Sequence, residues 1–139
     1  MRKGLAVACV LMCVLADSPV SANADRPEQC PAQDWCGCWL ATFLKIPNQK
    51  QWRELWVARN WMTYGRRADG PAPGVIAIFE RGSGGHVGIV TRVPRPGFVV
   101  LKSGNDNNAV RERERSIERV IAWRVPVMMH SPSFPLNQN

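Results

Sequence analysis

Two side chains in this sequence could together cleave an amide bond, the thiol of Cys36 and the imidazole of His86. Cys36 lies where a helix is expected to begin, and residues 85–90 predict a strand that starts with the histidine. A helix N-terminus and a neighbouring imidazolium both favour the thiolate, which is the nucleophilic form of cysteine. The only other histidine, His130, lies in a tail without helical or strand periodicity. The sequence therefore predicts a cysteine nucleophile with His86 as its base.

A third polar group is needed to orient the imidazole and to select its tautomer. Asn105 follows the third predicted strand, which should lie beside the histidine strand, and its amide can accept a hydrogen bond without adding charge. Ser103 and Asp106 are the alternatives in the same turn. Backbone N–H groups at the helix start would bind the oxyanion, and Trp35, which precedes the thiol, is expected to line the acyl pocket.

Two helices are predicted to position the thiol. Asp34 is a candidate N-cap for a helix over 35–45, in which an apolar stripe turns Cys36 inward and Cys38 outward. A second helix is expected over 51–64, and we interpret its tryptophans as core packing rather than as a platform for substrate.

Short strands separated by Gly/Pro turns follow the helices and should carry the histidine. We predict them over 75–79, 86–93, 98–101, 110–115 and 120–125. Short strands joined by tight turns indicate an antiparallel sheet, and helices followed by strands indicate the α+β class. Arginine and glutamate alternate over 111–115, so they fall on opposite faces, and we interpret this run as a solvated edge strand.

The first 24 residues are typical of a secretory signal peptide. A basic start precedes the apolar run 5–15, and small residues at 22 and 24 fit a cleavage site. The alternative, an uncleaved membrane anchor, is disfavoured because the run is too short for an ordinary spanning helix. We expect a secreted or periplasmic protein with one domain over 25–125 and a disordered tail over 126–139.

Charge and cysteine content narrow the possible partners and cofactors. The formal charge is +7, and removal of Arg2, Lys3 and Asp17 leaves 16 basic and 10 acidic residues, or +6. A basic secreted protein attracts polyanions such as wall polymers, and that location makes nucleic acid an unexpected partner. An odd number of cysteines remains after the predicted cleavage, namely Cys30, Cys36 and Cys38. This predicts a free thiol that can coexist with one disulfide, and Cys38 could pair with Cys30. No Cys-x-x-Cys pair is present, so we predict neither a metal site nor a cofactor.

Five segments of the chain, in unbroken order over about 34–125, resemble those of a known group of cysteine hydrolases. They are the nucleophile segment 35–40, the helix 58–65, the turn and strand 73–79, the histidine segment 85–90 and the segment 100–105. They are similar to segments of the CHAP (cysteine, histidine-dependent amidohydrolase/peptidase) proteins and the related NlpC-type peptidases. The resemblance implies a papain-like fold, with N-terminal helices packed on an antiparallel sheet of about five strands. It also implies cleavage of amide bonds in peptidoglycan, as an endopeptidase or an amidase. The implied roles are nucleophile for Cys36, general base for His86 and orienting residue for Asn105.

An alternative function follows from one departure from the CHAP pattern. Ser103 stands where some CHAP enzymes place an acidic residue near the site. If that acid is essential, the protein is a catalytically decayed CHAP-like domain that binds cell-wall fragments or a protein partner. The sequence makes no prediction of the oligomeric state.

Overall fold

The computed structural model describes residues 25–127 as three short helical segments followed by a six-stranded antiparallel sheet. The helical segments are α1 (Cys36–Phe43), α2 (Gln49–Glu54) and a 3₁₀ helix (Ala58–Thr63). The strands are β1 (Arg66–Arg67), β2 (Ile76–Phe79), β3 (His86–Arg95), β4 (Phe98–Ser103), β5 (Arg111–Ser116) and β6 (Val120–Val125). The predicted signal peptide, and the predicted tail beyond residue 127, lie outside the described residues. Among residues 25–127, no helix is both long and apolar enough to cross a membrane.

The sheet contains one strand more than the sequence predicted. Its order is β1-β6-β2-β3-β4-β5, and each neighbouring pair is antiparallel. The unpredicted strand β1 has only two residues, both exposed, so no apolar alternation marks it in the sequence. The edge position predicted for 111–115 is confirmed, because β5 ends the sheet and its first four residues are exposed.

The prediction of one continuous helix over 51–64 is wrong, because the helix is interrupted between α2 and the 3₁₀ helix. Val57 has extended backbone angles, φ −80° and ψ 117°, which interrupt any continuous helix. The indole N–H of Trp61 donates a hydrogen bond of 2.7 Å to the carbonyl oxygen of Leu55, at the end of α2. A carbonyl that a longer helix would satisfy internally therefore finds a buried side-chain donor instead.

α1 is buried on nearly all sides rather than along one stripe. Asp34 is not its N-cap, since that residue has a left-handed φ of 51° and the cap position is Trp35. Cys38, predicted to face outward, is fully buried because a disulfide joins it to Cys30. Phe43, predicted on the buried stripe, is 45% exposed.

The core consists of two clusters, and their division follows the alternation of side chains along the strands. The first cluster joins the helical segments to β2 and β3 and includes Leu40, Trp61, Ile76, Ile78 and Val87. The second contains Ala77, Phe79, Val90, Val99 and Leu101. Because neighbouring residues of β2 fall in different clusters, this strand is buried on both faces and forms the centre of the domain.

Candidate active site

The structure brings the thiol of Cys36 to the strand that carries His86. Cys36 is the first residue of α1 and is only 2% exposed. The backbone amide of Val87 is close enough to the sulfur to lower the pKa of the thiol. Since Val87 directly follows His86 in β3, the sulfur lies one residue along the backbone from the predicted base.

Burial controls the ionisation of the thiol. Loss of water around the buried sulfur raises the pKa of Cys36 above its usual value. The Val87 amide, the charge of Arg81 and the Gly37 amide lower the pKa by less. The groups expected to favour the thiolate are therefore opposed by burial, because the desolvation of a buried thiolate outweighs the favourable groups around it. At neutral pH Cys36 is a neutral thiol that needs a base.

The ring of His86 has one engaged nitrogen and one without a partner. Nε2 lies 3.0 Å from the hydroxyl oxygen of Ser103. Nδ1 is buried and, within residues 25–127, makes no hydrogen bond, so none joins it to the sulfur of Cys36. When Nε2–H donates to Ser103, Nδ1 carries the lone pair and is the nitrogen that can accept a proton.

The imidazole is neutral over the physiological pH range. Burial and, by less, the charges of Arg81, Arg115 and Arg113 lower the pKa of His86 from 6.5 to about 3, against the opposing charge of Asp106. The site therefore holds a neutral thiol and a neutral imidazole rather than a thiolate and an imidazolium.

Ser103 reaches the ring because Gly88 leaves room between them. His86 and Gly88 lie two residues apart on β3, so they share one face of the sheet. A Cβ on Gly88 would lie 2.8 Å from the Cβ of Ser103 and 2.7 Å from the carbonyl oxygen of Lys102. The close approach of β3 and β4 at this point, which places the serine beside the ring, therefore depends on glycine.

Asn105, predicted to orient the ring, has no hydrogen bond to His86 among the described residues. It follows the end of β4 with a left-handed φ of 52° and is half-buried. The residue that contacts the ring of His86 is Ser103, one of the two alternatives to Asn105. The other alternative, Asp106, is buried and bonded to Arg113 and Arg115.

The sequence predicted that Trp35 lines the acyl pocket, but its side chain is fully buried and does not face an open pocket. Its indole N–H donates a hydrogen bond of 3.4 Å to the side-chain oxygen of Asn108. A Cβ on Gly104 would lie 2.8 Å from the indole ring. Trp35 therefore packs beneath the turn after β4 and holds that turn against α1.

A cavity of about 370 Å³ borders the imidazole. His86 is paired with Phe79 of the second core cluster, and both side chains line this cavity together with Arg113 and Arg115. These arginines were not predicted to be neighbours of the site. Alternation places them on one face of β5, but only the strand order shows that this face meets the histidine. Among residues 25–127, no group of three or more histidines, cysteines and carboxylates could hold a metal ion.

Comparison with known proteins gave one family match. The model of the CHAP domain matches residues 23–105, which is more than half of the 139 residues of the chain. The matched range contains Cys36, His86, Ser103 and Asn105. The comparison with curated proteins found no match.

Proposed function

Because this chain belongs to the CHAP domain family, we propose that it is a cysteine hydrolase that cleaves amide bonds of peptidoglycan. CHAP domains are in general peptidoglycan hydrolases that act as amidases or peptidases. The observation that carries the proposal is the position of Cys36, at the start of a helix that packs against the strand that begins with His86. A thiol on a helix N-terminus and an imidazole on the strand packed against that helix are the two groups that acyl transfer to sulfur requires.

The neutral resting state of both groups determines the first step. We propose that substrate binding brings Nδ1 of His86 to the thiol, a contact that often tightens only in the complex. Nδ1 takes the proton as the sulfur attacks the amide carbonyl, and backbone N–H groups near the start of α1 bind the oxyanion. The imidazolium then protonates the leaving amine, and a thioester remains on Cys36. Water, deprotonated by His86, hydrolyses the thioester and restores the thiol.

Ser103 is the proposed orienting residue for this reaction. Its hydroxyl is the ring's partner at Nε2, and this hydrogen bond leaves Nδ1 available as the base. Asn105, the orienting residue that the resemblance implied, is the competing assignment. Substitution of each by alanine distinguishes them, because only loss of the orienting residue lowers kcat strongly while KM stays near its original value.

The arrangement of the domain and its N-terminal sequence support two further parts of the proposal. A nucleophile on a helix N-terminus beside an antiparallel sheet that carries the base is typical of papain-like hydrolases. The basic and apolar N-terminal segment supports export, which would place the enzyme in the periplasm or outside the cell, where peptidoglycan lies.

Release of amino groups from purified peptidoglycan tests the proposal. We expect the wild-type protein to release amines, and Cys36→Ser and His86→Gln to release none while melting near the wild-type temperature. Both substitutions nearly conserve volume, so they limit loss of packing at these buried positions. Equal release by wild type and Cys36→Ser would overturn the proposal.

A decayed domain that binds wall fragments or a protein partner is the second candidate. It is favoured by the burial of Cys36 and His86, each 2% exposed, and by a neutral serine at the ring instead of an acid. This candidate predicts that wild type and Cys36→Ser sediment equally with peptidoglycan and that neither releases amines. Release that depends on Cys36 would exclude it.

A further inference from the structure

The cavity beside His86 is lined by several arginines that have no role in the proposed catalytic step. Four arginines border it, Arg81, Arg113, Arg115 and Arg119. They come from three parts of the chain: the β2–β3 turn, β5, and the β5–β6 turn. We call this cavity, with its four arginines, Phe79 and His86, the arginine pocket.

Backbone hydrogen bonds fix the two turns that supply Arg81 and Arg119. The N–H of Gly85 donates to the carbonyl oxygen of Arg81 at 2.8 Å, which closes the β2–β3 turn. The N–H of Glu80 donates to the carbonyl oxygen of Arg119 at 2.8 Å, which ties the β5–β6 turn to the end of β2. Both arginine backbones are therefore anchored at the edge of the pocket.

A buried carboxylate fixes the other two arginines. Asp106 is bonded by Nε of Arg113 at 2.8 Å and by Nη2 of Arg115 at 2.6 Å. Burial raises the pKa of Asp106, but the hydrogen bonds and charges of Arg115 and Arg113 outweigh it and lower the pKa below its usual value. The carboxylate is thus ionised, and it holds two cations while cancelling the charge of only one.

Two of the three glutamates that line the pocket are paired with arginines outside it. Glu80 lies 3.9 Å from Arg59, and Glu114 is bonded to Arg95, and neither arginine partner lines the pocket. Glu118 is the one lining glutamate without an ion pair within residues 25–127. Over the same residues, Arg81 and Arg119 have no carboxylate within 4.0 Å.

We propose that the arginine pocket binds a carboxylate of the substrate close to the amide bond that is cut. The inference rests on the proposed hydrolase function and adds the substrate class, peptidoglycan peptides with a free carboxylate near that bond. Guanidinium groups bind carboxylates through paired N–H donors, and Phe79 supplies an apolar wall beside them. Arg81 and Arg119 contact the carboxylate, and Asp106 positions Arg113 and Arg115 behind them.

The charge of Arg81 also reaches the reacting groups. It lowers the pKa of both Cys36 and His86, and Arg81 lines the same cavity as His86. A carboxylate bound by Arg81 would therefore lie close to His86, the proposed base.

Hydrolysis of soluble peptidoglycan peptides, with their carboxylates either free or converted to amides, tests the inference. We expect wild type to show a kcat/KM about ten-fold higher for the free form, the size of one charge-assisted contact. Arg119→Gln should remove this preference by raising KM for the free form. Arg67→Gln is the matched control, since Arg67 is exposed on β1 at the opposite edge of the sheet. Equal kcat/KM for both forms in wild type, or equal effects of Arg119→Gln and Arg67→Gln, would overturn the inference.

Binding to Cys36→Ser, measured by calorimetry, separates this inference from the proposed hydrolase function. If this variant binds the free form about ten-fold more tightly than the amidated form and wild type cleaves neither, the hydrolase proposal is contradicted and carboxylate binding by the arginine pocket is supported. If wild type cleaves both forms equally, carboxylate binding by the arginine pocket is contradicted and the hydrolase proposal is supported. Failure of the variant to bind either form overturns the pocket.

Discussion

At the scale of single residues, the raised pKa of a buried thiol and the lowered pKa of a buried imidazole change the expected response to pH. The pKa of Cys36 is raised by burial, and that of His86 is lowered to about 3, also by burial. We therefore expect alkylation of the native Cys36 thiol to be slow at neutral pH and to continue to accelerate above about pH 9, beyond the usual range of a thiol. Mass spectrometry of the alkylated peptide against pH measures this. A labelling midpoint near neutrality would contradict it.

The same shift of His86 makes the stability of the fold depend on pH. The pKa is lowered from 6.5 to about 3 on folding, so between these values the unfolded state binds more protons than the folded state. The contribution is fully present above pH 6.5 and is lost as the pH falls towards 3. Between pH 7 and pH 5 we expect the free energy of unfolding to fall by about 2 kcal/mol.

Urea denaturation at the two pH values measures this loss, and His86→Gln is its control. Glutamine has a similar size and does not titrate, so the variant should lose about 2 kcal/mol less than wild type over the same interval. An equal loss in both proteins would assign the acid sensitivity to other groups.

At the scale of elements, the close approach of β3 and β4 determines which residue contacts the histidine. An alanine at position 88 would meet the backbone oxygen of Lys102 at 2.7 Å and the Cβ of Ser103 at 2.8 Å. Gly88→Ala should therefore separate the strands, displace Ser103 from the ring and destabilise the fold by about 1–3 kcal/mol. Thermal melting and amine release together measure this. Gly70→Ala is the matched control, because nothing lies within 4 Å of its added Cβ. Equal melting temperatures for the two variants would contradict the packing argument.

The strands were more predictable than the contacts between them. The sequence placed 120–125 with both ends correct, because local alternation and flanking turns define such a segment. The partner of His86 was not predictable in this way. The choice between Ser103 and Asn105 depends on how closely two backbones approach at Gly88, and no local pattern records that distance.

In the helical part, too, local sequence patterns do not predict a contact that tertiary packing determines. Tryptophans at helical spacing predicted one helix over 51–64, but Trp61 donates its indole N–H to Leu55 and stabilises a break instead. This contact forms only when α1 and the sheet enclose both residues, so tertiary packing overrides the local period.

At the scale of the whole molecule, a single disulfide fixes the N-terminal loop against the helix that carries the nucleophile. Cys30 and Cys38 are eight residues apart in sequence, and both are buried in the cluster that joins α1 to the sheet. A disulfide that closes so short a loop removes less entropy from the unfolded chain than one that closes a long loop. The entropic model gives a stabilisation of the folded state of about 2.5 kcal/mol. We therefore expect the double variant Cys30→Ser, Cys38→Ser to lose at least this amount of unfolding free energy, because it also buries two hydroxyl groups.

Urea denaturation of the oxidised wild type, the double variant and Cys36→Ser measures the stability that this disulfide contributes. Cys36→Ser is the matched control, since it buries one hydroxyl at a neighbouring α1 position and leaves the disulfide intact. The loss in the double variant should exceed twice the loss in Cys36→Ser, and the excess is the contribution of the covalent link. If the double variant loses no more than twice the control, the loop is held by its packing alone, and the disulfide is dispensable for positioning the nucleophile.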